Sequence, residues 1–376
     1  MSLGHQNRFR HLSATITTKE VVICKSKELY IDRGEKPKRF PFHPYNNQGQ
    51  VGMGETEHSI AVSYYQFFRS RKVDDARTSG ADQAPPKGAA DSEEQSIDFW
   101  VEASWGDEDE LNAQAILEKN REKCSISPWS TVEKDVDAWN QFYRDHGTKF
   151  FKDRHYLEKA FPLEFSPQYS VKANKTLVEI GCGVGNALLP LLESTNGQWR
   201  ILHGLDLSSV AIDLVRKDPR FLAYNNNQQS DGGATAFAHV CDISAGLPPE
   251  CVGVADVTTL LFCLSAVDPD DMAQAAQNVA MSLRPGGILV FRDYGRYDEA
   301  QMKLGISRSK KLKDNFYRKH DGTKCFYFTI DDLERLFKSS GLEVLELKYL
   351  RRLYSNKATG ETRRRVWVQG RFRRPL

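Results

Sequence analysis

The chain has 376 residues, of which 40% are hydrophobic and 27% charged, with a net charge of +2. This is an ordinary composition for a soluble protein, and no apolar run approaches the roughly 18 residues that a membrane helix needs. The seven cysteines (Cys24, Cys124, Cys182, Cys241, Cys251, Cys263, Cys325) form no C-x-x-C pair, which argues for reduced thiols and against a disulfide framework or a structural zinc.

In chain order, residues 1–71 are a polar extension with short β-like pieces such as Val21 to Cys24. Its first acid is Glu20, preceded by Arg8, Arg10 and Lys19. That start reads either as an unstructured tail, with a cytoplasmic protein expected, or as a mitochondrial import segment. Residues 72–97 hold Gly, Ala, Ser, Asp and Pro85-Pro86 with almost no large apolar groups, so a disordered linker is predicted there. Residues 91–110 carry nine acids and no base. Helices are expected over about 107–123 and 131–145, the second with Val132, Val136, Trp139, Phe142 and Tyr143 at helical spacing.

After Asn174, apolar runs at 176–180, 201–205, 236–240, 257–262 and 288–292 alternate with helical stretches such as 209–217 and 270–283. Such alternation predicts an α/β fold, a doubly wound and mostly parallel sheet. Two longer strands, 342–350 and 364–371, flank a turn-like 355–360 and predict an antiparallel hairpin at the sheet edge.

The first strand runs into Glu179-Ile180-Gly181-Cys182-Gly183-Val184-Gly185. Glycines allow a tight turn and close approach of a ligand to the main chain. The later third glycine of the pyrophosphate fingerprint is missing. Glu179 would repel a pyrophosphate but suit a cationic sulfonium cofactor. Asp206 follows the second strand, 21 residues after Gly185, where an acid suits ribose hydroxyls. Asp242 with Ile243 ends the third strand, suited to an adenine amine, and Leu260-Leu261-Phe262 end the fourth as an adenine wall. The alternative is that Asp206 and Asp242 only cap helices.

Several stretches resemble the eukaryotic tRNA N3-methylcytidine methyltransferases of the methyltransferase-like group, over about residues 99–374. They are Trp139-Asn140-Gln141-Phe142-Tyr143, Phe150 through Leu157, Glu179 through Asn186, Leu264 through Pro269, Phe291-Arg292-Asp293-Tyr294-Gly295 and Phe316-Tyr317. The segment from Phe99 through the acidic helix is similar to the N-terminal extension of the longer members, whereas residues 1–97 match no part of the family. The resemblance implies a class I (Rossmann-like) methyltransferase domain over 171–376 with a seven-stranded sheet, preceded by a helical region over 98–170 that helps hold cofactor and tRNA. It implies S-adenosyl-L-methionine as cofactor, and Trp139 and Tyr143 as a pair closing over it. Their i, i+4 spacing puts them on one helix face. It also implies 3-methylcytidine formation in the anticodon loop, at position 32, of tRNAs of serine or threonine type. A protein partner such as an aminoacyl-tRNA synthetase or an accessory subunit is implied as well.

N3 of cytidine carries a lone pair and needs no general base, so positioning and electrostatics carry the chemistry. The product base is cationic, and Asp293, after the fifth strand, is the candidate carboxylate beside it. Tyr294 is the candidate to stack on or bond the base. Arg292 is expected to pair with Asp293 or a phosphate. No Pro-Cys dipeptide supplies a C5-methylation nucleophile, and no His/Cys/Asp spacing suggests a catalytic metal. Lys152 and Arg154, ahead of the sheet, are expected to face the cofactor carboxylate or RNA. Basic clusters at 303–324 and 348–376, including Lys310, Lys311, Arg351, Arg352 and Arg364, are the expected tRNA surface. The readings left open are a class I methyltransferase with another substrate and a catalytically silent tRNA-binding adaptor.

Overall fold

The computed structural model describes residues 21–25, 28–32, 38–41, 99–102, 105–121, 135–169, 174–193, 198–226, 235–305, 310–355 and 362–376. The linker expected over 72–97, and residues 356–360 of the expected turn, lie outside them. The chain divides into two compact units, Met1–Glu93 and Glu94–Leu376. The first contains an antiparallel sheet of β1 (Val21–Lys25), β2 (Glu28–Asp32) and β3 (Lys38–Pro41), in that order.

In the second unit the apolar runs form the sheet because alternate residues of each strand enter opposite cores. The strands are β4 (Phe99–Glu102), β5 (Lys175–Ile180), β6 (Trp199–Asp206), β7 (Thr235–Val240), β8 (Ala255–Leu261) and β9 (Leu283–Tyr294). After them come the short β10 (Lys311–Lys313), β11 (Phe316–Arg318) and β12 (Lys324–Phe326), then β13 (Glu343–Ser355) and β14 (Thr362–Arg373). Val178, Leu289 and Phe291 pack with Phe337, Val368 and Phe372 in one cluster. Their strand neighbours Leu177 and Val290 pack with Leu188, Leu202, Ile212 and Val215 in the other. Both faces of the sheet are thus buried, as continuous apolar strands require.

The order is β4-β13-β14-β9-β8-β5-β6-β7, with β5 through β9 parallel and β4, β13 and β14 antiparallel. The seven expected strands are present, and β4 adds an eighth. Helix Ser209–Lys217 has the expected bounds and is capped by Ser208 Oγ, which accepts from the Ala211 amide at 3.2 Å. The two N-terminal helices span Asp107–Arg121 and Asp135–His146. The four acids of the first turn of Asp107–Arg121 lie at the positive end of its dipole.

Three features were not foreseen. The strand expected at 288–292 extends to Tyr294, so Asp293 and Tyr294 belong to the strand itself. β10, β11 and β12 form a separate small antiparallel sheet. Its Tyr317 and Cys325, with Tyr327, pack against Tyr294. Helix Ile330–Ser339 is held by a capping box between Thr329 and Asp332. Among the described residues no helix is long and apolar enough to cross a membrane.

Candidate active site

The C-terminal ends of β5, β6, β8 and β9 converge on one edge of the sheet. Gly181, Gly183 and Gly185 all lie in the left-handed region, with φ of +72°, +55° and +87°. A Cβ on Gly181 would lie 2.4 Å from Cys263 Sγ, and one on Gly183 2.7 Å from the Tyr143 hydroxyl. Gly181→Ala is therefore expected to cost about 1–2 kcal/mol in backbone conformation alone, besides the clash. A thermal melt and a cofactor titration check this. Adding Cys263→Ala removes the sulfur but leaves the Cys263 Cβ at 2.5 Å, so only Cys263→Gly should relieve the clash and leave the conformational cost in place.

The glycine turn is tied to the neighbouring strand. Asp206 accepts from the Gly183 amide at 2.8 Å and from the Ser208 amide at 2.9 Å. Burial pushes its carboxyl up to about 6, opposed by those two amides. Glu179 is 2% exposed. The Leu188 amide donates to its carboxylate, and Oε2 has no hydrogen-bond partner. Burial raises this carboxyl to about 8 against the opposing charge of Arg154. A buried, unsatisfied carboxylate oxygen beside a glycine cradle fits a ligand that brings a cation or a donor.

The helix Asp135–His146 lies over this turn. Trp139 and Tyr143 stack at 5.9 Å between centroids, and Asn140 Oδ1 accepts from the Ser208 hydroxyl at 2.7 Å. One helix face thus carries both the aromatic pair and the anchor that seats it. The following loop is pinned to the same glycine turn. Asn186 Nδ2 donates to Phe151 O and Asp153 Oδ1, each at 3.1 Å, and the Arg154 amide donates to Asn186 O at 2.7 Å. Arg154 is thereby aimed inward. Its guanidinium lies 5.0 Å from the Phe262 ring and donates to Tyr156 Oη at 3.3 Å. Lys152 is exposed.

At the end of β9, strand alternation sends Arg292 and Asp293 to opposite faces, so the expected pairing between them does not form. Asp293 is fully buried. Its Oδ2 accepts from the Ser265 amide at 2.9 Å and its Oδ1 from the Tyr294 amide at 2.8 Å. Burial raises it to about 6. Arg292 lies opposite Gln369 in the β9–β14 register and donates to Gln369 Oε1, through Nε at 3.1 Å. Its guanidinium is boxed by Tyr156 at 4.4 Å, Phe161 at 5.6 Å and Trp367 at 5.9 Å. Tyr294 lies opposite Trp367 and 5.1 Å from Phe262. Burial holds its hydroxyl protonated.

The groups expected around the adenine differ in exposure. Leu261 is buried in the core. The residue beside Arg154 and Tyr294 is Phe262, at φ +57°, a strained position for a bulky side chain of the kind that gathers at functional sites. Asp242 is exposed, with Oδ1 accepting from Ser244 N and Oγ at 2.9 and 2.6 Å. The neighbouring Ile243 is buried and its carbonyl accepts from Asn278. Phe262 was expected at the adenine, Trp367 among the stacking aromatics and Tyr156 inside a motif, but their meeting in one place was not. No periodicity marks them as facing one site.

Residues 150–347 match the methyltransferase domain family. The tRNA N(3)-methylcytidine methyltransferase Mettl2 of Drosophila melanogaster is 35% identical over 286 residues, covering 74% of this chain and 83% of that protein. The tRNA N(3)-cytidine methyltransferase METTL2 of Danio rerio is 33% identical, covering 88% of this chain and 95% of that protein. The tRNA N(3)-cytidine methyltransferase METTL6 of Homo sapiens is 37% identical, covering 70% of this chain and 90% of that protein. The chain belongs to the tRNA N(3)-cytidine methyltransferase family. The Danio rerio match covers more than residues 99–376 alone can supply, so the similarity reaches into the N-terminal extension, contrary to expectation. As a family member, the chain is an S-adenosylmethionine-dependent methyltransferase. The glycine cradle, the open Glu179 oxygen and Asp206 fit that cofactor.

The basic clusters expected to meet tRNA carry many of their charges in ion pairs. Lys313 bridges Asp268 and Asp270 at 2.6 Å each, Lys324 pairs with Asp135 at 2.9 Å, and Lys311 with Asp314 at 2.8 Å. Arg365 pairs with buried Asp298 at 2.8 Å, and Arg371 with Glu164 at 2.5 Å. Arg364, expected to contact tRNA, is 8% exposed. A side chain that deep does not present its charge to a phosphate backbone on the surface. Arg351 lies 5.3 Å from the Trp105 ring and 4.7 Å from Tyr349. Burial lowers its pKa, while Glu110 and Asp109 of the acidic helix turn pull it up. The acidic run thus faces part of the chain's own basic surface. Arg352 donates to Arg351 O at 3.4 Å and is half-buried, as is Lys310. Lys319 sits 5.5 Å from the Trp139 ring, joining the small sheet to the helix over the cofactor turn.

Proposed function

We propose that this chain methylates N3 of a cytidine in the anticodon loop of tRNA, at serine- or threonine-type substrates. The observation that carries the reading is one ring of groups where the ends of β8 and β9 meet the middle of β14 and the loop at Tyr156. Phe262, Tyr294, Tyr156 and Trp367 surround Arg154 and Arg292, directly beside the glycine cradle. Aromatic faces receive an unstacked base, and the two guanidinium groups brace those rings by cation–π contact. S-adenosylmethionine supplies an electrophilic methyl group, and the cytidine lone pair supplies the electrons. Glu179 and Asp206 offer carboxylate oxygens to the cofactor's cationic and hydroxyl groups, and Arg154 offers a cation to its carboxylate. Asp293 holds Tyr294 and the Ser265 loop in place, and its charge favours a base that becomes cationic. Burial raises Cys182 and Cys263 well above the ordinary thiol range. Both therefore stay protonated, which suits attack by the base nitrogen rather than by a thiolate.

The test incubates full-length protein with labelled S-adenosylmethionine and unmodified serine and threonine tRNA transcripts, then identifies the labelled nucleoside and its position. The expected product is 3-methylcytidine in the anticodon loop. Log kcat/KM should fall linearly with log salt, by roughly 0.7–0.9 per phosphate neutralised. Binding of both ligands without product points to a required protein partner, such as a synthetase or an accessory subunit. Transfer that ignores salt and tRNA sinks the reading, and tRNA binding without cofactor binding leaves an adaptor.

A further inference from the structure

We propose that His203, His239 and Cys251 form a zinc(II) site that clips the edge of the main sheet, separate from the methyl-transfer site. The three come from β6, β7 and the turn Pro249–Cys251, and their ligand atoms all lie within 4.8 Å of one another. No C-x-x-C or His-x-His spacing announces them, because neighbouring strands bring together positions far apart in the chain.

The geometry suits a tetrahedral ion. His203 Nδ1 and His239 Nε2 are 3.3 Å apart, the edge expected when two nitrogens each sit about 2.0–2.1 Å from zinc. A thiolate at about 2.3 Å closes a tetrahedron with sulfur–nitrogen edges of about 3.6 Å. Cys251 Sγ therefore needs to move in by no more than about 1.2 Å. His239 Nδ1 faces the Glu250 carboxylate at 3.4 Å. A carboxylate on the far nitrogen of a ligating histidine fixes its tautomer and orientation. Here it leaves Nε2 directed at His203. Two neutral nitrogens and one thiolate are a ligand set for zinc rather than for magnesium or calcium. Water completes the coordination.

The surroundings explain what such an ion would do. His203 is 4% exposed and Cys251 fully buried, whereas the His239 side chain is 20% exposed and provides the way in. Phe237 stacks on His203 at 5.2 Å and is 42% exposed. This face of the edge strand is therefore covered by the short turn Pro249–Cys251 in place of a full helix. Metal coordination would join β6, β7 and that turn, and would brace β6 three residues before Asp206. Binding converts the Cys251 thiol to a thiolate and releases its proton to solvent.

The experiment strips full-length protein with a chelator and titrates it with zinc chloride, and with cobalt chloride as a coloured probe. Wild type should bind one equivalent, show a near-ultraviolet thiolate-to-cobalt band and melt at a higher temperature with zinc. Cys251→Ser should lose the band and the thermal shift. Glu250→Gln should keep the band and weaken metal binding by about 10- to 100-fold. Should His203→Ala fail to fold, the Cys251 and Glu250 variants still decide the matter. Their circular dichroism and cofactor binding report that they are folded. No band in folded wild type overturns the proposal, and so does a band that survives in Cys251→Ser.

Discussion

Replacing Asp293 with alanine is expected to lower kcat/KM for tRNA by about 10²- to 10³-fold, the usual scale for losing one preorganised electrostatic group. Cofactor affinity should stay close to wild type, because Asp293 bonds the Ser265 and Tyr294 amides and lies off the glycine turn. Alanine leaves both amides without an acceptor, and each unmet buried donor costs about 1–3 kcal/mol, so a drop in melting temperature accompanies the loss. Asparagine separates position from charge. It can accept from one amide, so it recovers activity if the carboxylate only holds the loop, and stays as poor as alanine if its charge matters. The pH profile adds a second readout. Because burial sets Asp293 near 6, kcat at saturating cofactor should rise through about pH 6 and level off above it, as the carboxylate ionises. A flat profile between pH 5 and 8, together with full recovery in Asp293→Asn, would reduce the residue to a structural peg.

The sequence disclosed most where one physical rule acts alone. Continuous apolar runs marked β5 through β9 because a strand buried on both faces has no polar positions to spare. Glycines at 181, 183 and 185 were legible because glycine takes positive φ without strain and leaves room for the close contacts made there. Legibility failed where two rules compete. Asp293 and Tyr294 were placed after the fifth strand, yet they end β9, where register with Val368 and Trp367 supplies partners that no local reading contains. Arg364 and Arg371 counted as surface cations, but Arg364 is buried and Arg371 pairs with Glu164, more than two hundred residues away. β10, β11 and β12, at three residues each, are too short to show a period. The capping pair Thr329 and Asp332 was a readable signal for the helix it starts. The histidine pair at 203 and 239 was not readable, since only parallel strand pairing makes those positions neighbours.

Glu179 gives the other large effect, and its sign runs against the usual carboxylate. Burial raises it from 4.5 to about 8, so the folded protein holds it neutral where the unfolded chain ionises it. Its contribution to stability is full below about pH 4.5 and is lost as pH rises through about 8. The whole penalty is on the order of 5 kcal/mol. Cofactor-free wild type should therefore melt at progressively lower temperature from about pH 5 to pH 8. Asp206 and Asp293, near 6, steepen the lower part of that decline, and His203, lowered by burial from 6.5 to about 4, opposes it there, so the interval above about pH 7 isolates Glu179. Glu179→Gln should flatten that interval and melt higher than wild type at pH 8. The same substitution should damage binding. A cationic cofactor favours the ionised carboxylate, whose Oε2 lacks a partner. Wild-type affinity should then strengthen as pH approaches 8, with release of a proton. Loss of a charge-assisted bond should weaken Glu179→Gln by about 10- to 100-fold and remove its pH dependence. Stability and affinity thus move in opposite directions in one variant. A simple packing defect would lower both, so calorimetric titration alongside melts at pH 7 and pH 8 distinguishes the two accounts.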